Sequence, residues 1–390
     1  MNTLFFVINQ NPGDGSAHGL YCLRHCWWLA AVEQRKTVRL IYPRPSLLAA
    51  HATTEEILRR IGLAPLPNFH LHALPALLKP RGGRGITVNA VYYWSLSAFL
   101  QKSKQPQDIL AGASFPKLMR FLYGRKKAIA GLRRVYEVHQ LLCLERGALS
   151  VEAGIEREVL AGSRKLLTTT SVLRRQLEGM VPGKDVVTVG LSCGFDPGEI
   201  SERIPEPTRP FTLAYIGSLY PEQGVQWLVQ AWNELSRHVG LPLELIIAGG
   251  KPAEVEELRL LAKERQVSVQ VRGPVPPKDL SALLKSVDAL IIPALPLGRM
   301  PYVALTKAYD YLGLNRPILA SNLPSVAEVL RPGQEALLYA PGDVEALAAG
   351  ISQVAKDQVL ADTLVANCRE RREAFSWESR SRQWWKAVTA

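Results

Sequence analysis

The chain has 390 residues, of which 47% are apolar and 21% charged, and its formal net charge is +12. This length exceeds one ordinary hydrophobic core, so we expect two globular domains. No apolar run reaches the roughly 18 residues that a membrane-spanning helix needs, and five scattered cysteines argue against a disulfide framework and for a reducing compartment.

The first half predicts strands that alternate with helices. The N-terminal run "TLFFVIN", Thr3 to Asn9, is typical of a buried strand rather than of a signal peptide. The helix "LYCLRHCWWLAAVEQR" and the strand "TVRLIYP" then complete a β-α-β unit. Further strands are predicted for residues 108–112, 133–139, 165–170 and 185–190.

A Pro-rich, charged stretch at residues 197–210 is predicted to be a linker. The alternation then restarts with strands "FTLAYIGSL", "LELIIAG", "SVQVRG", "ALIIPAL" and "PILAS", separated by helices. This pattern predicts two Rossmann-like, doubly wound parallel-sheet domains, which bind ligands at the carboxyl ends of their strands. We assign residues 1–200 to the first domain, 201–370 to the second and 371–390 to a C-terminal helix that returns to the first.

The positive charge is confined to the first half. Residues 1–200 contain 26 Lys and Arg against 14 Asp and Glu, whereas residues 201–390 contain 21 of each. The segment 117–134 has no acid, and its cations are Lys117, Arg120, Arg125, Lys126, Lys127, Arg133 and Arg134. Apolar neighbours such as Phe121 and Leu122 could dip into an interface, so this segment favours an anionic membrane surface over nucleic acid. A solvated helix face is the alternative.

Several stretches, in order, carry a family resemblance. They are "YEVHQL", "LLTTTSVLRRQL", "SCGFDP", "YIGSLYPEQGVQWLVQAW", "LELIIAGGKPAEVEEL", "VRGPVPPKDLSALLKSVDALIIPAL" and "TKAYDYLGLNRPILASNLPSVAEVL". Together they resemble the family 4, group 1 retaining glycosyltransferases of GT-B fold. The resemblance implies two domains facing a central cleft and a nucleotide-diphosphate sugar as donor.

Donor-binding residues follow from this resemblance. Lys307 corresponds to a phosphate-binding lysine, and Asp310 stands where the family has a ribose-binding glutamate. The two are one turn apart on a predicted helix, where a surface ion pair is the alternative. Gly217 and Ser218 end a strand near the phosphates. Ser218 and Gln223 stand where the family usually has cations. Glu328 takes the last acidic position of the family or is a solvated helical glutamate.

The resemblance also implies residues in the first domain. His139 corresponds to a histidine that contacts the donor sugar, and Glu137 supports it. Gly13 and Gly15 correspond to a glycine pair near the acceptor and phosphates, although "GDG" is also a good turn. No Asp-x-Asp motif occurs, so we expect no catalytic metal and no cofactor. Cys22, His25 and Cys26 share a helix face, where packing is a better explanation than zinc.

Three functions remain open at this point. The first is a metal-independent, retaining glycosyltransferase that acts on a glycan or lipid-linked acceptor, peripheral on the inner face of the cell membrane. The second is a catalytically weak GT-B protein that binds nucleotide or partners an active subunit, since Ser218 and Gln223 replace two cations. The third is a GT-B nucleotide-sugar epimerase. The sequence does not name the donor base, the sugar or the acceptor.

Overall fold

Two compact units make up the chain. The computed structural model describes residues 3–12, 17–44, 53–76, 89–195, 198, 200–202 and 209–390. The first unit comprises Met1–Thr169, Leu173–Val189 and Trp377–Ala390, and the second Thr170–Val172 and Gly190–Ser376. The chain therefore first enters the second unit before the predicted domain boundary at residue 200. Most of the predicted linker 197–210 lies outside the described residues.

The first unit is built on a parallel sheet of seven strands in the order β3-β2-β1-β4-β5-β6-β7. The strands are β1 (Thr3–Val7), β2 (Thr37–Pro43), β3 (Phe69–Leu74), β4 (Ile109–Ala113), β5 (Arg133–Val138), β6 (Lys165–Thr168) and β7 (Asp185–Thr188). The helices before the second sheet are α1 (Ala17–Val32), α2 (Thr54–Arg60), α3 (Asn89–Ser103), α4 (Pro116–Tyr123), α5 (Lys126–Ile129), α6 (Leu142–Arg146), α7 (Val151–Gly162) and α8 (Ser171–Met180).

The central strand of this sheet, β1, has an apolar sequence because it is buried. Leu4, Phe5, Phe6 and Val7 of β1 are all fully buried, because helices cover both faces of a parallel sheet. The chain leaves β1 toward β2 and β3 and then returns to β4 on the other side of β1. The loops after β1 and β4 therefore diverge, which makes this edge a topological switch point.

The second unit has a parallel sheet of six strands in the order β10-β9-β8-β11-β12-β13. The strands are β8 (Phe211–Ile216), β9 (Leu243–Ala248), β10 (Val269–Gly273), β11 (Ala289–Ile292), β12 (Ile318–Ser321) and β13 (Ala336–Tyr339). The helices are α9 (Val225–Val239), α10 (Pro252–Glu264), α11 (Pro277–Leu284), α12 (Thr306–Asp310), α13 (Pro324–Ala327), α14 (Val344–Lys356) and α15 (Gln358–Ala374). The switch point lies between β8 and β11.

The last helix, α16 (Trp377–Thr389), belongs to the first unit. It packs along α1, where the Trp385 indole N–H donates to the Leu29 carbonyl at 2.9 Å. Trp384 is fully buried and stacks edge-on against Trp385 with ring centroids 5.1 Å apart. Two neighbouring tryptophans thus fix an otherwise charged helix in place.

The basic segment 117–134 is not one amphipathic helix. It is divided among α4, α5 and the start of β5. Leu118, Met119 and Leu122 are fully buried, so the prediction that Leu122 reaches a lipid interface is wrong: the amphipathic face of α4 packs into the protein core. Arg133 and Arg134 lie on a strand rather than on a helix.

The prediction of two doubly wound parallel sheets is confirmed. Strands β3 and β13 were not predicted, and β3 is an edge strand whose sequence "FHLHAL" alternates polar and apolar residues. Among the described residues, no helix combines the length and the apolar character needed to cross a bilayer.

Candidate functional site

Two glycines shape the carboxyl edge of the second sheet. Gly217 follows β8 with φ +155°, and Gly249 follows β9 with φ +125°. A Cβ on Gly249 would lie 1.9 Å from the Gly217 carbonyl oxygen, and a Cβ on Gly217 would lie 2.9 Å from Lys307 Cε. Neither position has room for a side chain, so the backbone of the β8 loop and the Lys307 side chain approach closely.

Lys307 stands at this edge on the short helix α12. Its ammonium group donates a hydrogen bond to the Gln223 side-chain carbonyl and lies 5.1 Å from the centre of the Tyr215 ring. Burial lowers the pKa of Lys307 to about 8, against the opposing influence of the Asp310 and Glu222 carboxylates. The site therefore contains a partly desolvated cation beside Gly217.

Gln223 places an amide at this edge. The residue is 7% exposed, and its carbonyl oxygen also lies 3.5 Å from the Tyr215 hydroxyl. A lysine here would place two ammonium groups side by side, whereas the glutamine carbonyl accepts a hydrogen bond from Lys307. The Tyr215 hydroxyl also donates to the Ser218 carbonyl, which fixes the β8 loop.

Asp310 contacts a different element from Lys307. Its Oδ1 accepts a hydrogen bond of 2.8 Å from the Gly194 backbone N–H, in the "SCGFDP" turn. A Cβ on Gly194 would lie 2.9 Å from that same oxygen. The Asp310 carboxylate is therefore held against this turn within the second unit, and its predicted contact with a ribose stays a prediction.

Glu328 is engaged by backbone and hydroxyl donors. Its two oxygens accept hydrogen bonds from the Ser171 N–H and hydroxyl, both at 2.8 Å, and from the Val172 N–H at 3.0 Å. The Glu328 side chain thus accepts hydrogen bonds from N–H groups that lack helical partners at the amino end of α8.

Arg299 lies on the loop after β11 with its Nε 3.8 Å from Glu222.

A second cluster of polar residues is buried in the first unit, at the carboxyl end of β5. Glu137 is 2% exposed, and its carboxylate accepts hydrogen bonds from Arg380, Trp384, His25 and His139. Burial alone would raise the pKa of Glu137, but the Arg380 guanidinium and His25 hold it well below its usual range. The carboxylate is therefore ionised and can only accept hydrogen bonds.

This carboxylate orients the rings of both histidines. The guanidinium of Arg380 lies 2.7 Å from His25 Nδ1, so that nitrogen is an acceptor and Nε2 carries the proton toward Glu137. Burial, followed by Arg380, lowers the pKa of His25 to about 4. His139 Nε2 lies 3.2 Å from the other Glu137 oxygen and must donate to it.

The zinc alternative for α1 does not fit this arrangement. Both ring nitrogens of His25 are engaged by Arg380 and Glu137. Burial raises the pKa values of the Cys22 and Cys26 thiols, so both remain protonated. Within the described residues, the side chains close enough to hold a metal together are Glu234, His238 and Glu345, all exposed.

The predicted glycine pair, Gly13 and Gly15, lies outside the described residues.

Sequence reasoning placed Lys307, Gln223 and Gly217 in one site, and the structure brings them into contact. It missed Tyr215, Arg380 and Trp384. The tryptophan pair at 384 and 385, within a charged C-terminal helix, is the signal that could have indicated a buried partner. The second unit thus places a desolvated cation at the carboxyl edge of its sheet, where open α/β sheets bind ligands.

Comparison with solved structures defines the fold. Sucrose-phosphate synthase from Thermosynechococcus elongatus superimposes with a TM-score of 0.73 at 16% identity, covering 99% of this chain and 98% of the other. Anabaena HepE, in complex with UDP-glucose, has a TM-score of 0.70 at 14% identity and covers 99% of both chains. Two Rossmann-like units with this likeness give the chain the GT-B fold.

Residues 210–357 match the family model for glycosyl transferases group 1. The chain is 26% identical to O-antigen chain mannosyltransferase B of Escherichia coli over 235 residues, 57% of this chain and 59% of that protein. It is 29% identical to glycogen synthase of Mycobacterium tuberculosis (strain CDC 1551 / Oshkosh) over 245 residues, 60% of this chain and 55% of that protein. Each match thus spans little more than half of the relative. The match to glycosyl transferases group 1 lies within the second unit and covers less than half of the chain.

Proposed function

We propose that the protein is a glycosyltransferase that transfers a sugar from a nucleotide-diphosphate sugar to a glycan or lipid-linked acceptor. The observation that carries this proposal is Lys307, whose ammonium group lies beside Gly217 at the switch point of the group 1 domain. In this proposal Lys307 and the backbone after β8 bind the diphosphate, and Asp310 binds the ribose. His139 contacts the donor sugar.

The proposed chemistry needs no protein nucleophile and no divalent metal. Negative charge develops on the departing diphosphate, and Lys307 stabilises it by position and charge. The sugar keeps its anomeric configuration, as the family resemblance implies. The names of the relatives support this class of reaction, since they include a mannosyltransferase and a glycogen synthase, and one structural neighbour is a complex with UDP-glucose.

The proposed acceptor belongs to cell-surface polysaccharide or glycolipid synthesis. Peripheral attachment to the cytoplasmic face of the membrane would bring the enzyme to such an acceptor. Trp94 is 57% exposed and the Arg125 guanidinium lies 3.8 Å from its ring centre, with Lys126 and Lys127 exposed beside them. An aromatic ring among cations is typical of proteins that bind the membrane–water interface.

One observation favours a second candidate, a nucleotide-binding GT-B protein with weak turnover. Gln223 stands where the resembled family has a cation, and the pKa of Lys307 is lowered to about 8. Such a site would stabilise a leaving diphosphate less than two full charges would. Partnering an active subunit would then be its function.

A thermal-shift screen with UDP, GDP, ADP and their sugars tests donor binding, because a ligand that binds only the folded state raises the unfolding temperature. The preferred nucleotide sugar is then incubated with membrane extract, and release of nucleoside diphosphate and transfer of labelled sugar are measured. Stabilisation with transfer supports the glycosyltransferase. Stabilisation without turnover supports the second candidate, and no stabilisation by any nucleotide contradicts both.

A further inference from the structure

The amino edge of the first sheet contains a cavity of about 270 Å³. It lies where β5, β6 and β7 begin, and Val388 and Ala390 at the end of α16 complete its lining. Strand β5 spans Arg133–Val138, and at about 3.3 Å a residue the cavity is roughly 16 Å from the carboxyl end of this strand. The cavity is therefore separate from the polar cluster around Glu137 and His139.

Cations predominate in the lining of this cavity. Its charged side chains are those of Arg133, Arg134, Arg164, Lys165 and Asp185. Lys165 donates a hydrogen bond to Asp185, and within the described part of the chain none of the three arginines forms an ion pair. Four cations and one carboxylate leave an excess of three positive charges. The carboxyl end of α16 offsets only a small part of it, because a helix end carries about half a charge.

The parallel register of the sheet places these charged residues next to one another. Lys165 of β6 is paired with Val135 of β5 and with Asp185 of β7. The Arg164 N–H donates a hydrogen bond of 2.9 Å to the Arg134 carbonyl. Because adjacent strands are only about 4.8 Å apart, the cations are crowded at this edge. Repulsion between like charges opposes such crowding until an anion binds among them.

Two of the cations are held in place by their neighbours. The side chain of Lys165 is only 12% exposed. The Arg134 guanidinium lies 5.5 Å from the centre of the Tyr123 ring, and the Tyr123 hydroxyl lies 2.9 Å from the Ser163 hydroxyl. An anion that enters the cavity therefore meets cations that have already lost part of their hydration and of their rotamer freedom, which lowers the cost of binding.

The lining favours a small anion over a membrane surface. Attachment to a membrane interface uses apolar side chains that reach the lipid, whereas the two valines of this lining, Val135 and Val388, are only 2% and 3% exposed. Guanidinium groups bind phosphate oxygens through paired N–H donors. The cavity volume of about 270 Å³ is just below the roughly 300 Å³ of the smallest sites that enclose a drug-sized ligand. This volume suits a short chain of phosphates.

We propose that this cavity binds a chain of two or three phosphate groups, either a free inorganic oligophosphate or the oligophosphate of a nucleotide. In this site the three arginines donate to phosphate oxygens, and Lys165 divides its hydrogen bonds between Asp185 and the ligand. The bound ligand stabilises the first unit, because the cavity exists only in the folded state. The inference goes beyond the proposed transfer reaction, since the proposed donor site lies in the second unit and shares no residue with this cavity.

Calorimetry on full-length wild-type and Lys307→Met protein separates this cavity from the proposed donor site. Inorganic phosphate, diphosphate, triphosphate and ATP are titrated at constant ionic strength, because salt screens exposed charges. In both proteins we expect diphosphate or triphosphate to bind about tenfold or more tightly than phosphate, since each added phosphate accepts further charge-assisted hydrogen bonds. Tighter binding of ATP than of triphosphate identifies a nucleotide as the ligand, and the reverse identifies a free oligophosphate.

Variants locate the binding site. The double variant Arg133→Ser, Arg164→Ser should lower diphosphate affinity about tenfold or more, because it removes two charge-assisted donors. Asp185→Asn should raise the affinity, because it removes the one negative side chain of the lining. A gain in affinity cannot result from partial unfolding, so Asp185→Asn decides the test even where the arginine variant is unstable. The matched control is Arg59→Ser, Arg60→Ser, since both arginines are exposed on α2 and outside the lining.

Four results would each overturn the proposal. They are diphosphate and triphosphate that bind no more tightly than phosphate, complete loss of their binding in Lys307→Met, equal losses in the two double variants, and no gain in Asp185→Asn. Vesicle co-sedimentation that depends on Arg133 and Arg164, without binding of diphosphate or triphosphate, would instead assign these cations to a membrane surface. Sugar transfer is measured separately, so failure of this cavity and failure of the proposed glycosyltransferase remain distinguishable.

Discussion

Arg380 donates a hydrogen bond of 3.1 Å to Glu137 across 243 residues of sequence, in the interior of the first unit. Both side chains are at most 3% exposed. The pair links the C-terminal helix to β5, which ends one residue before His139. Through Glu137 it also orients the His139 ring. Its removal should therefore affect both stability and the proposed activity.

Arg380→Met leaves Glu137 as a buried charge without its cation. Breaking such a pair costs about 3–5 kcal/mol of unfolding free energy, so we expect strong destabilisation of the first unit. Chemical denaturation measures the loss, and hydrogen exchange at β5 and α16 localises it. The double variant Arg380→Met, Glu137→Gln should recover part of the loss, because no charge then remains. Wild-type stability in Arg380→Met would contradict the proposed role of the pair.

His139→Ala should lower turnover while binding of the bare nucleotide stays nearly unchanged, since its proposed contact is to the sugar. Steady-state kinetics with the preferred nucleotide sugar and titration with the nucleoside diphosphate measure the two effects. His238→Ala is the matched control, because His238 is exposed on α9 and lies 3.9 Å from Glu234. Full turnover in His139→Ala would assign His139 a structural role alone.

Lys307→Met should weaken binding of a nucleoside diphosphate much more than binding of the nucleoside. Loss of a hydrogen bond to a charged group is worth about 1.5–3 kcal/mol, and calorimetry with both ligands gives the difference. Lys285→Met, at an exposed position after α11, controls for loss of one positive charge. Equal losses for nucleoside and diphosphate would mean that Lys307 does not contact phosphate.

The lowered pKa of Lys307 predicts two pH trends of opposite sign, one in diphosphate affinity and one in the free energy of unfolding. As pH rises through about 8, the ammonium loses its proton and diphosphate affinity should fall. Between about 8 and 10.5 the unfolded chain holds more protons at this residue than the folded one, so its contribution to unfolding free energy should rise with pH. Both trends should be absent from Lys307→Met.

Gly217→Ala should disturb Lys307 directly. The added Cβ would lie 2.9 Å from Lys307 Cε, on a backbone with φ +155°, so the ammonium must shift and diphosphate affinity should fall. Gly240→Ala is the control, because φ there is +69° and an added Cβ meets no atom within 4 Å. We expect Gly240→Ala to lose about 1–2 kcal/mol of stability from backbone strain alone and to bind diphosphate normally. Equal affinity in both variants would contradict the contact.

The cations around Trp94 should bind anionic vesicles. Each lysine or arginine near such a surface contributes about 1 kcal/mol, so changing Arg125, Lys126 and Lys127 together to serine should reduce co-sedimentation sharply. Binding should also fall with salt, which screens exposed charges beyond about 10 Å at 0.1 M. The control changes Arg259, Lys263 and Arg265, exposed cations of the α10 region, to serine. Wild-type protein that ignores anionic vesicles at low salt would exclude this surface as a membrane contact.

The sequence by itself determined the two parallel sheets, because buried strands are continuous apolar runs and the turns between elements are local. It also indicated Gly217, Gln223 and Lys307 as one site, because the stretches that contain them resemble those of the group 1 glycosyltransferases. It failed for β3, where "FHLHAL" lacks the apolar run of a central strand because an edge strand is only partly covered.

Only the tertiary structure decided the partners of the charged groups. Glu137 meets Arg380, Asp310 meets the Gly194 N–H, and Glu328 meets Ser171, over separations of 243, 116 and 157 residues. No local pattern encodes such pairs, because each depends on where two distant elements pack. The position of Leu122 also depended on tertiary packing. Its spacing beside cations is compatible with a membrane interface and with a protein core, and the packing of α4 buries it in the core.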